Sequence, residues 1–199
     1  MSFHEQHAAN TQGRDFFVGD IHGQYDLLMK ALNNVAFDRG RDRLFSVGDL
    51  IDRGAKSLDC LSLPFESWFF GVRGNHEVMA YDALFNQADL QMGERALIHA
   101  AGSGVGVAAI QLAHLAGATT FATAGSLEKL SKAASIGLDV GINYREEDFA
   151  KVIAERTDGQ GVDVILDVVG ASYWEPNLKS LAINGRMVMV GFLSGTRLE

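Results

Sequence analysis

Cysteine, proline and long apolar runs are all scarce in this chain of 199 residues, and each shortage removes a class of protein. The single cysteine, Cys60, excludes an internal disulfide and any Cys-rich zinc site. Lying in the apolar stretch LDCLSL, it reads as a small core residue and not as a nucleophile. With only two prolines, no stiff linker divides the chain. No apolar run approaches the roughly 18 residues of a membrane helix, and the opening MSFHEQHAANTQGRD has no basic region followed by an apolar one. The expectation is a cytoplasmic chain with no membrane partner. Basic residues are also in deficit, 17 Lys and Arg against 25 Asp and Glu, and the net charge of -8 is spread over both halves. Neither half therefore invites nucleic acid electrostatically. What is present, 47% hydrophobic and 21% charged residues, suits one globular domain or two small ones.

Short apolar runs alternate with helical patterns throughout. In the first half they are DFFVGD, YDLLMKALNNVAF, LFSVGD, a Leu-rich segment, WFFGVRG and VMAYDALF. The strands end in Gly-Asp or Gly-Asn, which places polar side chains at the carboxyl ends of a parallel sheet, where α/β proteins bind ligands. The second half has the same rhythm with different punctuation: ALIHA, VGVAAIQLAHLAG, TTFATA, SLEKLSKAASIG, VGINY, EEDFAKVIAERT, VDVILDVVG, ASYWEPNLKSLA and RMVMVGF. Five strands and four helices at this density predict βαβ units. The polar segment NQADLQMG, from Asn86 to Gly93, marks the join.

Three motifs follow one another in the first half: GDIHG (Gly19 to Gly23), GDLIDRG (Gly48 to Gly54) and GNHE (Gly74 to Glu77). A phosphatase that uses two divalent ions needs bridging carboxylates with imidazole and amide ligands, which polarise phosphate oxygens and acidify a bound water. Asp20, His22, Asp49 and Asn75 are of those types. An Asp or Asn after a strand is by itself more often a helix cap than a ligand; three such motifs in order favour the metal reading. From about Arg14 to Leu84, including SVGDLIDRG and WFFGVRGNHE, the sequence resembles the small serine/threonine protein phosphatases of the bacteriophage-lambda type, which are metallophosphoesterases. The resemblance implies that Asp20 and His22 hold a first Mn²⁺-type ion, that Asp49 bridges, and that Asn75 holds a second. It also implies that His76 is the general acid, that Asp52 orients it, and that Arg53 and Arg73 grip the phosphoryl oxygens, a task suited to the guanidinium fork. The family's later metal-binding histidines have no counterpart. His114 lies mid-helix in AIQLAHLAG, and His99 stands at a strand end inside a different motif.

That motif is AGSGVG (Ala101 to Gly106), between a strand and an amphipathic helix. Small residues there admit a pyrophosphate to the backbone and to the free N–H groups of the helix N-terminus. The spacing departs from strict GxGxxG, with Ala101 and Ser103 where glycines would stand. At the end of the next strand, NAD-specific domains commonly place an acid that would repel a 2′-phosphate. Here Ala124-Gly125-Ser126 is followed by Lys129, a hydroxyl and an ammonium that favour NADPH, although an exposed lysine is commonly only a solvated helix residue. From Gly93 to Glu199 the sequence resembles the zinc-free NADPH:quinone oxidoreductase branch of the medium-chain reductases, in GERALIHAAGSGVGVAAIQLA, AGSLEKL, GINYREEDF, GVDVILDVVG and SYWEPNL. The resemblance implies that Ser103, Gly104, Val105 and Gly106 line the pyrophosphate. Ser126, Lys129 and Tyr144 would surround the 2′-phosphate, with Gly170 and Gly191 edging the nicotinamide; Tyr144 otherwise reads as a strand-end core residue.

The expected fold class is α/β: a truncated metallophosphoesterase βαβ unit in residues 1–90, then a truncated Rossmann-type doubly wound parallel sheet in residues 91–199. The expected function is NADPH binding by a quinone-oxidoreductase-like unit. The alternatives are a metal-dependent phosphomonoester hydrolase and a catalytically inactive chimera. Unpaired sheet edges point to a homo-oligomer.

Overall fold

The computed structural model describes residues 6–50, 54, 56–72 and 74–197. It forms two compact units, Met1–Gly74 and Asn75–Glu199.

In the first unit, β1 (Asp15–Val18), β2 (Arg43–Ser46) and β3 (Phe69–Gly71) form a parallel sheet in that order. The crossovers carry α1 (Tyr25–Asn34) and the short α2 (Ser57–Ser62). In α1, Leu28 and Leu32 are four residues apart and both are buried, the stripe that fixes a helix against a sheet. Phe37 packs between Phe16 and Trp68, with ring centroids 5.4 Å from each. Cys60 is buried, and desolvation pushes its thiol pKa up to about 11, as a core residue requires.

Asp42 ties the starts of β1 and β2 together. Its carboxylate accepts from the Arg14 backbone N–H at 2.8 Å, from Arg14 Nη2 at 2.6 Å and from the Asp38 N–H at 3.0 Å. The Arg14 hydrogen bond and these N–H donors hold its pKa well below the usual carboxylate range. A depressed folded pKa contributes stability that is complete above the unfolded value, about 3.9, and is lost as pH falls through the folded one. Asp42→Asn is therefore expected to destabilise the first unit at neutral pH and to flatten its acid dependence below about pH 4. Thermal unfolding across pH checks this, and a variant as acid-sensitive as the unsubstituted chain would refute it.

The second unit opens with α3 (Asn75–Tyr81) and a π-helical turn, Asp82–Gln87. There follow β4 (Arg95–Ile98), α4 (Gly104–Leu115), β5 (Thr119–Ala124), α5 (Leu127–Ala134), β6 (Val140–Asn143), α6 (Phe149–Arg156), β7 (Val162–Asp167), α7 (Trp174–Ser180) and β8 (Leu181–Met189). All five strands are parallel, in the order β6-β5-β4-β7-β8. The sequence reverses direction at β4, which is the doubly wound arrangement. Leu97, Phe121, Ile142, Ile153 and Ile165 form the core. α4 buries Ala108, Ala109, Ile110 and Ala113, and its alanines are small side chains that let neighbouring elements approach closely.

The unit boundary at Gly74 differs from the join read at 90/91. Arg186 on β8 explains why the intervening segment packs with the second unit: its guanidinium donates to the carbonyls of Ala88 at 2.7 Å and Asp89 at 2.9 Å and pairs with Glu94 at 2.8 Å. β8 also begins at Leu181, where the sequence pattern still read as helix. Among the described residues no helix is long and apolar enough to cross a membrane.

Candidate functional site

In the first unit, the loops after β1 and β2 are bound together by their backbones. The N–H groups of Ile21 and His22 both donate to the Asp49 carbonyl, at 3.1 and 2.9 Å, and the Gly23 N–H donates to Leu50 at 2.8 Å. The Gly54 N–H donates to the His22 carbonyl, and a side chain at 54 would collide with the backbone of Gly23. This lacing brings Asp20, His22 and Asp49 together, with one ligand atom of each within 4.8 Å of the others. His22 and Asp49 both have left-handed backbones, at φ 48° and 41°. Such conformations are costly for residues with side chains and collect at functional sites. An open cleft of about 320 Å³ adjoins, lined by Asp20, His22, Gln24, Leu27 and Leu28. Two carboxylates and an imidazole are a donor set that suits a divalent ion.

Of the other expected phosphatase residues, Asn75 and His76 stand on α3. Asn75 begins α3 in the second unit. His76, also on α3, has its ring where a side chain at Gly104 would otherwise extend, so it stands at the head of α4. Asp52, Arg53 and Arg73 lie outside the described residues.

In the second unit, the turn from β4 to α4 is tightly closed. Ala100 has φ 57°, and the Gly106 N–H donates to Ser103 Oγ at 3.0 Å, so Ser103 caps α4. A Cβ on Gly106 would collide with the Ala100 carbonyl oxygen. The first helical N–H groups, at Gly104 and Val105, have no acceptor within the helix and are the donors an anion would take.

At the end of β5, Ser126 caps α5, accepting weakly from the Lys129 N–H at 3.4 Å. The stem of Lys129 lies along the glycine turn, its Cδ 3.0 Å from where a Gly102 Cβ would be. The place a Gly125 side chain would take is bounded by the Tyr144 hydroxyl, 2.7 Å from it, and by Arg145 Nε, 3.1 Å from it. Tyr144 and Arg145 thus border Gly125, next to the Ser126 cap, while Lys129 on the first turn of α5 borders Gly102. Sequence reading passed over Arg145; its position directly after Tyr144 at the end of β6 was the available signal. Glu128, on the first turn of α5, pairs with Lys132 at 2.8 Å. Neither Lys129 nor Arg145 forms an ion pair among the described residues.

Gly170 and Gly191 both border the turn after β7. Gly170 has φ 90°, and a side chain there would lie 2.7 Å from the Gly195 carbonyl; one on Gly191 would lie 3.0 Å from the Val168 carbonyl. Gly170 therefore excludes a larger residue, and Gly191 leaves little room for one. His99, just after β4, is fully buried: its Nδ1 lies 2.9 Å from Thr123 Oγ1 and its Nε2 2.7 Å from Asn177 Oδ1. Burial lowers its pKa, opposed by Asn177 and Asp167.

The class these features define is a chain of two units, one with a parallel, doubly wound sheet of the dinucleotide type and one with metallophosphatase-type donors. Residues 104–198 match the family model described as zinc-binding dehydrogenase. Quinone oxidoreductase of Escherichia coli, solved in complex with NADPH, is similar at 36% identity and a TM-score of 0.59, over 62% of this chain and 38% of that one. A phenolphthiocerol/phthiocerol polyketide synthase subunit of Mycobacterium tuberculosis is 38% identical over 126 residues, 63% of this chain and 6% of its own length. The N-terminal third matches instead serine/threonine-protein phosphatase 1 of Salmonella typhimurium, 62% identical over 66 residues, which are 33% of this chain and 31% of that protein. The chain thus spans about a third of the phosphatase, and the two sets of matches are consistent with a chimera.

Proposed function

We propose that the second unit binds NADPH, in the manner of the cofactor domain of zinc-free quinone oxidoreductases, within a chain that works in the cytoplasm. The observation that carries this reading is the placement of Lys129 against Gly102 of the α4 turn and of Tyr144 and Arg145 against Gly125, beside the Ser126 cap. The pyrophosphate would lie on the N–H groups of Gly104 and Val105 within the turn Ser103 to Gly106, the 2′-phosphate near Ser126, Lys129, Tyr144 and Arg145, and the nicotinamide beside Gly170 and Gly191. When bound, the cofactor supplies a hydride for an acceptor such as a quinone. The chain's own residues bind and orient it. Fluorescence titration is the test: NADPH is expected to bind roughly tenfold or more tightly than NADH at low salt, and equal affinities would refute the reading. β6 and β8 are the outer strands of their sheet, so association of copies through an outer strand belongs to the same proposal, and light scattering tests it.

The convergence of Asp20, His22 and Asp49 favours a second reading, a metal-dependent phosphomonoester hydrolase in the first unit. Asp20, His22, Asp49 and Asn75 are fewer ligands than a two-ion site needs, so one Mn²⁺ per chain is expected, bound weakly. Calorimetry finding two tight sites would overturn that expectation. Asp49→Ala is expected to abolish Mn²⁺ binding together with any phosphatase turnover, and turnover that survives it would reject this site.

A further inference from the structure

His99 and Asn177 join four elements of the second unit through one chain of buried hydrogen bonds. Asp167, at the end of β7, is fully buried and accepts from the N–H groups of Val169 at 2.6 Å and Gly170 at 3.2 Å. Its other oxygen accepts from Asn177 Nδ2 on α7 at 3.1 Å. With the Asn177 amide donating to a carboxylate, its Oδ1 faces His99 and must accept from Nε2–H. Nδ1 then accepts from the Thr123 hydroxyl on β5. One neutral tautomer satisfies every group, and the lowered pKa of His99 agrees with that neutral state. The rings of Phe149 and Tyr173 close over the imidazole edge-on, at 5.0 and 4.8 Å.

The outcome of this chain is the shape of one turn. Asp167 holds Val168 to Gly170, and that turn in turn receives the segment after β8, through Leu193 N–H to Val168 at 3.2 Å and Ser194 N–H to Val169 at 2.7 Å. The sheet reverses direction at β4, so a dinucleotide whose pyrophosphate lies at α4 and whose adenosine lies over β5 leaves its other nucleoside over β7 and β8. We propose that His99 is a positioning residue for that second nucleoside: through Asn177 and Asp167 it sets the turn Val168 to Gly170 against the nicotinamide half of the cofactor. The inference rests on the NADPH reading and goes beyond it by assigning a role to a buried histidine that touches no phosphate subsite.

The test compares whole and half cofactors on the full chain. Asn177→Leu and His99→Leu are each expected to lower NADPH affinity by about tenfold while leaving the affinity for adenosine 2′,5′-bisphosphate, which lacks the nicotinamide half, within about twofold. Equal losses for the two ligands, or no loss for either, in a variant whose circular dichroism remains that of the unsubstituted chain overturn the proposal. If both variants fail to fold, nitrogen-15 spectra of the unsubstituted chain decide. The His99 ring is expected to show the Nε2–H tautomer and to shift on saturation with NADPH but not with adenosine 2′,5′-bisphosphate. A ring that does not respond, or responds equally to both, overturns it. An unsubstituted chain that binds neither ligand removes the cofactor reading and this role with it, whereas binding of both without dependence on His99 removes only this role.

Discussion

Ser126→Glu is expected to reverse the cofactor preference of the second unit, so that NADH binds more tightly than NADPH. The new carboxylate would stand at the cap of α5, where Ser126 now faces the Lys129 N–H. A charge there repels a 2′-phosphate and accepts a hydrogen bond from the free 2′-hydroxyl of NADH. At about 4 Å and an effective dielectric near 20, two unit charges interact by about 4 kcal/mol, and salt with partial exposure reduces this to a loss on the order of a hundredfold. Lys129→Ala acts in the same direction by subtraction. It removes a charge-assisted contact and should cost NADPH roughly tenfold, the lower end of such contacts because the side chain is exposed, with NADH affinity nearly unchanged. Arg145→Ala should behave like Lys129→Ala, since its Nε borders the space above Gly125. Titrations in which all three variants retain the original ratio of affinities would show that these are merely solvated surface residues.

Arg145 also illustrates what was legible in the sequence and what was not. The alternation of strands and helices was readable because its periods are local: VDVILD and TTFATA became β7 and β5, and the cap-and-helix string beginning at Ser126 became α5. Strand ends could be recognised by their glycines, which is why Asp20, His22 and Asp49 were found and do gather. Contacts set by topology left no such mark. The bond from His99 to Asn177 spans 78 positions, and the one to Thr123 spans 24; only the strand order β5-β4-β7 brings these residues together. The same reason hid the attachment of Ala88 and Asp89 to Arg186, about a hundred residues away, and so the unit boundary fell elsewhere. His76 was read from GNHE and Gly104 from AGSGVG, but neither motif announces that the two are neighbours in the fold.

The turn that begins α4 should be the least forgiving position in the second unit. Gly106→Ala adds one carbon that collides with the Ala100 carbonyl oxygen, a backbone atom that cannot swing aside as a long side chain would. Ala100 is already in the left-handed region at φ 57°, so the turn has little freedom to relax. The first turn of α4 must therefore move off β4, stretching the bond from the Gly106 N–H to Ser103 Oγ, now 3.0 Å. Overpacking of this kind costs about 1–3 kcal/mol, and loss of a helix cap adds about 1 kcal/mol. Ser103→Ala separates the two effects, because it removes the cap and leaves the turn its space. Thermal unfolding is expected to place Gly106→Ala well below Ser103→Ala in stability. NADPH binding should fall by more than about tenfold in Gly106→Ala, since the N–H groups that would meet the pyrophosphate move with the helix end. Unchanged NADPH affinity in a folded Gly106→Ala variant would mean that the head of α4 is not where the pyrophosphate lies, and the cofactor would have to be sought elsewhere on the unit.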